Sequence, residues 1–315
     1  MTTYLLRRLL SFVATLLGAA IVIFLVLEIL PGDPAAVTLG LNAAPEALAA
    51  LRAEMGLDQP ALLRFFSWIG GLLTGDLGLS YTYRVPVTQL IGERMVVTLP
   101  LASMAILLAS AIGIPLGALA AANHNRTGDA AVMVFAQAGL AIPNFWFGLL
   151  LVLVFAVGAG WLPAGGFPGW QAGFWPALKA LLLPAVALAL PQAAILARVT
   201  RAAMLETMQE DYVRTARAKG VSRRRTMLRH VLRNALIPVV TVLGLQFSVL
   251  LAGAIIIENV FALPGLGRLV FQSIAQHDLI VVKDLVMLFA GLVVFINFAI
   301  ELLYGLIDPR LRQAS

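Results

Sequence analysis

Residues 198–233 read RVTRAAMLETMQEDYVRTARAKGVSRRRTMLRHVLR. This stretch carries 10 of the chain's 22 Lys and Arg residues and lies between two long apolar runs. Its first half spaces Met204, Met208, Tyr212 and Ala216 four apart, flanked by Leu205 and Val213, which predicts one helix with an apolar stripe. Gly220 interrupts the stripe. Ser222 then stands where a helix N-cap is wanted, followed by Met227, Leu228, Val231, Leu232 and Ala235 on one face. The predicted motif is helix, glycine break, helix. It has enough apolar surface to pack on a bundle, with a short polar tip left over.

Outward from this loop the chain is membrane. It has 315 residues, 61% hydrophobic and 12% charged, against about 25% charged in an ordinary soluble domain. Apolar runs of about 20 residues, enough to cross a bilayer core, recur at 9–30, 99–122, 130–157, 177–197, 236–257 and 285–306. The first run is too long for a secretory h-region, and Pro31-Gly32-Asp33-Pro34 follows it in place of a cleavage site. Six spans place both termini on one side. Lys and Arg number two before the first span, one at 123–129, ten in the loop and two in the tail. The opposite side has four in residues 31–97, none in 159–176 and one or two in the last loop. That asymmetry predicts cytoplasmic termini and a cytoplasmic basic loop. Basic charge so placed reports topology, and no nucleic-acid partner is expected.

Residues 31–97 are the longest non-spanning part. Ala43–Met55 has helical composition, and Leu62–Leu73, with Phe65, Phe66, Trp68 and Ile69, reads as a helix lying at the membrane surface. Val87–Val97 reads as an amphipathic lead-in. Pro and Gly at mid-span (Gly113, Pro115, Gly117, Pro143, Pro184, Pro191) fit a bundle that encloses a path or changes shape, though both residues are common in membrane helices anyway. Glu28 and Glu301 lie near span ends, and Asn297 shares a face with Glu301. Intramembrane acids are functional candidates, but both sit close enough to an interface to be solvated or paired.

The chemistry excluded is broad. There is no cysteine, hence no disulfide, iron–sulfur or Cys-zinc site. No P-loop, HExxH or GxSxG pattern occurs, so no catalytic, cofactor or metal residues are assigned. Lipid headgroups account for Arg223, Arg224 and Arg225 as charges, but not for a folded loop.

Five stretches carry a family resemblance. They are Leu30-Pro31-Gly32-Asp33-Pro34; Gly75-Asp76-Leu77-Gly78 through Tyr81 to Pro100; Tyr212-Val213-Arg214-Thr215-Ala216-Arg217-Ala218-Lys219-Gly220; Leu232-Arg233-Asn234-Ala235-Leu236-Ile237-Pro238; and Glu258-Asn259-Val260-Phe261 with Pro264-Gly265-Leu266-Gly267. Asp308-Pro309-Arg310 also fits. The chain resembles inner-membrane permease subunits of ABC importers of the dipeptide/oligopeptide group. In the broad superfamily the loop carries Glu-Ala-Ala, three residues, then Gly. Here the triplet is Arg214-Thr215-Ala216, the peptide group's own version, so no Glu-mediated contact is assigned at 214.

The resemblance implies an all-helical, six-span, single permease domain over 1–315 in a bacterial inner membrane, with an outer cap at 31–97 and a coupling loop at 198–234. It implies a pathway shared with a second permease, two cytoplasmic ATPases that hold ATP and Mg, and an extracytoplasmic binding protein that delivers peptides or related solutes. Tyr212, Arg214, Thr215, Ala216, Arg217, Lys219, Gly220, Val221, Ser222, Arg223 and Arg224 are the implied ATPase contact. Gly220 supplies a special backbone conformation or a close approach, or a helix C-cap, and these are compatible. Phe261, Leu263, Pro264, Gly265 and Leu266 lie by the same resemblance at the outer mouth, as a gate or as packing beneath the binding protein. Two other readings remain at this stage: a self-sufficient secondary transporter, against which the near absence of mid-span charge speaks, and a membrane scaffold without a pathway.

Overall fold

The computed structural model describes residues 2–29, 35–36 and 44–307. The Leu30–Pro34 and Asp308–Arg310 motifs and the side chain of Glu301 lie outside them. The helices are α1 Thr2–Ile29, α2 Pro45–Glu54, α3 Ala61–Thr74, α4 Val87–Ala122, α5 Thr127–Ala141, α6 Asn144–Leu151, α7 Phe174–Thr207, α8 Asp211–Ala218, α9 Arg233–Val260, α10 Leu266–Ala275 and α11 Leu279–Ile307. Two π-helical turns, Val152–Gly158 and Thr226–Leu232, continue α6 and lead into α9. Among the described residues there is no strand, only a single bridge between Leu79 and Pro86. Among the described residues, five helical stretches are long and apolar enough to span: Leu6–Ile29, Val87–Ala122, Phe174–Thr207, Arg223–Val260 and Leu279–Ile300. The pair Thr127–Ala141 and Asn144–Gly158, bent by 99°, makes a sixth if counted as one.

The chain divides into two compact units, residues 1–97 with 264–315, and residues 98–263. In the first unit α1 packs on α11, with Phe12 and Phe298 rings 5.0 Å apart. The aromatics of α3 face Phe24 of α1 (Phe65 at 5.3 Å, edge-on). Buried Trp68 donates its indole N–H to Asp284 at 2.7 Å, and the Lys283 ammonium lies 4.9 Å from its ring centroid. Glu28 pairs with Arg64, so this span-end acid is neutralised locally.

The Gly75-Asp76-Leu77-Gly78 motif is a turn whose conformations demand glycine. Gly75 ends α3 at φ +80° and Gly78 has φ +77°, values that cost a side-chain-bearing residue about 1–2 kcal/mol. The Asp76 carboxylate closes the turn by accepting the Gly78 N–H at 3.1 Å. Asp278, fully buried, accepts from Ser80 Oγ at 2.5 Å and from the Thr82 N–H at 3.1 Å. Burial, then the nearby Asp278 charge, pushes the Tyr81 phenol up to about 12. Val87, Leu90, Leu266, Leu269, Val281 and Leu285 form the unit's main apolar cluster.

The second unit is built around α7, in which 17 of 34 residues are buried. Its alanines form flat tracks on which other helices lie closely. A Cβ at Gly113 would fall 2.6 Å from the Ala193 carbonyl oxygen, and one at Gly117 would fall 2.4 Å from that of Ala197. This Gly-xxx-Gly on Ala-xxx-Ala crossing is how helices associate where lipid removes the hydrophobic drive. Gly139 lies against Ala194 in the same manner.

The lead-in at 87–97 runs without a break into the second span, as one 36-residue helix α4. Two expectations are corrected here. The third span is not one helix. Pro143 disfavours the helical region for the residue before it, Ile142 sits at φ −83°, ψ 121°, and the two arms turn through 99°. The fourth span does not end at 197, since α7 continues to Thr207 and absorbs the first ten residues of the expected loop.

Candidate functional site: the basic loop and its anchors

After Thr207 the chain turns at Met208–Glu210, with the Met208 N–H on the Met204 carbonyl at 2.9 Å. It then forms α8. The expected stripe Met204–Met208–Tyr212–Ala216 is therefore not one helix. Met204 is on α7, while Val213 and Ala216 are the buried positions of α8. Tyr212 is 43% exposed and lies off the buried face. The loop is held by a cluster of Ala121, Ala203, Met204, Val213, Met227, Val231 and Ala235. Burial, then the Glu210 charge, pushes the Tyr212 phenol up.

α8 ends in a tight clamp. The Val221 N–H reaches the Ala216 carbonyl at 3.2 Å and the Gly220 N–H reaches that of Arg217 at 2.9 Å. Gly220 is at φ +79°. This is the paired bonding of a Schellman cap. A Cβ on Gly220 would meet nothing within 4 Å. The glycine is thus required by backbone conformation, and close approach within this chain plays no part. Ser222 occupies the expected N-cap position, but its side chain makes no capping bond, and only its carbonyl is used, by the Thr226 N–H at 2.9 Å.

The expected contact residues split by exposure. Tyr212, Arg214, Thr215, Arg217, Lys219, Gly220, Ser222, Arg223 and Arg224 are exposed; Val221 is half-buried and Ala216 buried. Arg214 makes only a solvent-exposed pair with Asp211 at 3.4 Å, which holds little energy. The Arg223 guanidinium donates to the Ala122 carbonyl at 2.8 Å, closing α4's last turn.

A second anchor escaped the sequence reading. Asp129, 4% exposed, accepts from Arg201 Nε at 2.5 Å and Nη2 at 2.8 Å, and from the Asn125 N–H at 3.1 Å. His124 Nδ1 lies 3.2 Å from the same carboxylate. The clasp ties the α4–α5 turn to the end of α7. The available signal was that Asp129 is the sole acidic residue between Glu93 and Glu206.

At the opposite end of α9, Glu258 is fully buried and accepts from the Thr98 hydroxyl at 2.6 Å. Phe261 is 1% exposed; its carbonyl accepts the Gly166 N–H at 2.8 Å, and its ring would come 3.0 Å from a Cβ on Gly148. Leu263 is buried, with its N–H on the Glu258 carbonyl at 2.8 Å. Leu266, in the first unit, belongs to that unit's apolar cluster behind Gly265, the N-cap of α10, and Pro264 is half-buried. Asn297 Oδ1 is buried and has no hydrogen-bond partner among the described residues.

Comparison with known proteins gives consistent results. Residues 113–313 match the family model for binding-protein-dependent transport system inner membrane components, and residues 1–102 match that of their N-terminal region. The chain is 42% identical over 312 residues to a putative peptide transport system permease protein of Brucella abortus, covering 99% of each. It is 39% identical over 312 residues to a probable peptide ABC transporter permease protein of Sinorhizobium fredii, covering 99% of this chain and 100% of the relative. It is 41% identical over 312 residues to a glutathione transport system permease protein of Salmonella choleraesuis, covering 99% of each. Among solved structures, an amino acid ABC transporter with histidines superposes with a TM-score of 0.50 at 19% identity, covering 71% of this chain and 94% of the other. That likeness is one of fold.

Proposed function

The chain belongs to the inner membrane components of binding-protein-dependent transport systems, and on that premise we propose that it carries peptides, driven through the loop at 198–234 by partner ATPases. It is a multi-pass permease component of an ABC importer and is not itself an enzyme. The peptide class rests on the relatives named for peptides and for glutathione, itself a short peptide.

The observation that supports the coupling role is the build of α8. Its inward face, Val213 and Ala216, is locked into an apolar cluster shared with α4, α7 and the start of α9. Its outward face is left with Tyr212, Arg214, Thr215 and Arg217, and Lys219 follows as its exposed C-cap. Anchored so, the segment moves as one body with the bundle, which is what coupling between two global states requires. In this proposal the ATPases hold ATP and Mg, and this chain holds no cofactor. Termini and loop face the cytoplasm, a second permease completes the pathway, and the 31–97 region lies beneath the binding protein. The Phe261–Leu266 turn serves as outer closure.

The test is transport and ATP hydrolysis measured together in vesicles. Gly220→Asp is expected to leave the chain inserted and assembled while abolishing uptake. Loss of the protein from the membrane points instead to a purely structural loop. Uptake by the purified chain without any ATPase overturns the reading in favour of a secondary transporter.

A further inference from the structure

One groove of the second unit reaches from the loop's tip, where Arg223 and Arg224 belong to the implied ATPase contact, into the apolar surface of the bundle. It runs along α4 and the start of the α9 span, encloses about 750 Å³, and is walled by Ile114, Pro115, Leu119, Met227, Leu228 and Leu232. Its charged lining consists of Arg223 and Arg224. Leu119 and Leu228 are each 55% exposed. Arg223 spends one N–H on the Ala122 carbonyl, and among the described residues no carboxylate pairs with either guanidinium.

We propose that this groove seats one anionic phospholipid, with an acyl chain along the leucines and its phosphate between Arg223 and Arg224. Three features select that occupant. The walls belong to membrane-spanning helices, so the apolar part of the ligand comes from the bilayer. The arginines stand at the ends of those helices, where basic pockets between spans hold anionic lipids. The guanidinium fork matches phosphate with two parallel donors. From Ile114 to Ala122 the groove follows nine residues of helix, a rise of about 12 Å, which stays within one leaflet of a core about 30 Å thick.

This chain has no cysteine, so a single Leu119→Cys substitution, labelled with a benzophenone maleimide on the purified chain before the transporter is assembled, gives a photoprobe at one position. The vesicles are phosphatidylcholine containing phosphatidylglycerol. The expected product is a lipid adduct enriched in phosphatidylglycerol about thirtyfold over the bulk ratio, the preference two guanidiniums give an anionic headgroup. Arg223→Gln with Arg224→Gln is expected to return the ratio to bulk. Arg224→Gln alone, which leaves the Ala122 bond in place, is expected to cut the enrichment about fivefold. Labelling of both lipids in their bulk ratio overturns the proposal. So does an adduct predominantly to polypeptide, which assigns the groove to a partner subunit, or an enrichment that survives Arg224→Gln undiminished.

Discussion

Arg201 grips Asp129 across 72 residues of sequence with two donors, Nε at 2.5 Å and Nη2 at 2.8 Å. The carboxylate is 6% exposed and the guanidinium 23%. Removing either partner leaves the other charge in a poorly solvated site, which costs about 3 kcal/mol. Asp129→Asn and Arg201→Gln are each expected to lower the thermal midpoint of the detergent-solubilised transporter. The double variant is expected to recover part of the loss, as a double-mutant cycle on a coupled pair does. Equal, additive losses contradict a direct pair.

Gly220 separates conformation from contact. A Cβ there meets open space, but φ is +79°. Gly220→Asn, which tolerates the left-handed region, is expected to retain more uptake than Gly220→Ala, whose strain is about 1–2 kcal/mol. ATP hydrolysis measured beside uptake shows whether the lost transport is lost coupling. The opposite order of Asn and Ala removes backbone conformation as the cause.

Gly117 tests the helix crossing. A methyl group there would sit 2.4 Å from the backbone oxygen of Ala197, so Gly117→Ala forces α4 and α7 apart at a cost of about 1–3 kcal/mol. Gly18 has nothing within 4 Å and serves as the matched control. The amount of folded protein recovered from membranes is expected to fall for Gly117→Ala and to hold for Gly18→Ala.

Trp68→Phe keeps a ring in the first unit but deletes the indole N–H that Asp284 accepts at 2.7 Å. Both residues are buried, so the stranded carboxylate costs about 1–3 kcal/mol. A lowered unfolding midpoint that Asp284→Asn in the same chain partly restores is the expected result.

How much was legible in the sequence follows from the range of each interaction. Apolar runs revealed the all-helical class and the places of five spans, because length and hydropathy are local. The break at Gly220 was legible for the same reason. The periodicity from Met204 to Ala216 misled, and the cause is physical. Met204 on α7 and Val213 on α8 point into one apolar cluster, so a regular spacing continues across a turn that periodicity cannot see. Pro143 was read as an ordinary mid-span proline, yet the extended Ile142 before it makes a corner. Asp129 with Arg201, and Trp68 with Asp284, are partners 72 and 216 residues apart, and no local pattern joins them.

The π-helical turn at Thr226–Leu232 joins the arginine tip to α9. Such a turn carries slack relative to an α-helix. Taking up one residue of it advances the preceding chain by about 1.5 Å and swivels it through about 100°. If the loop couples as proposed, a push arriving at Arg223–Arg225 would reach the root of α9 as a discrete twist.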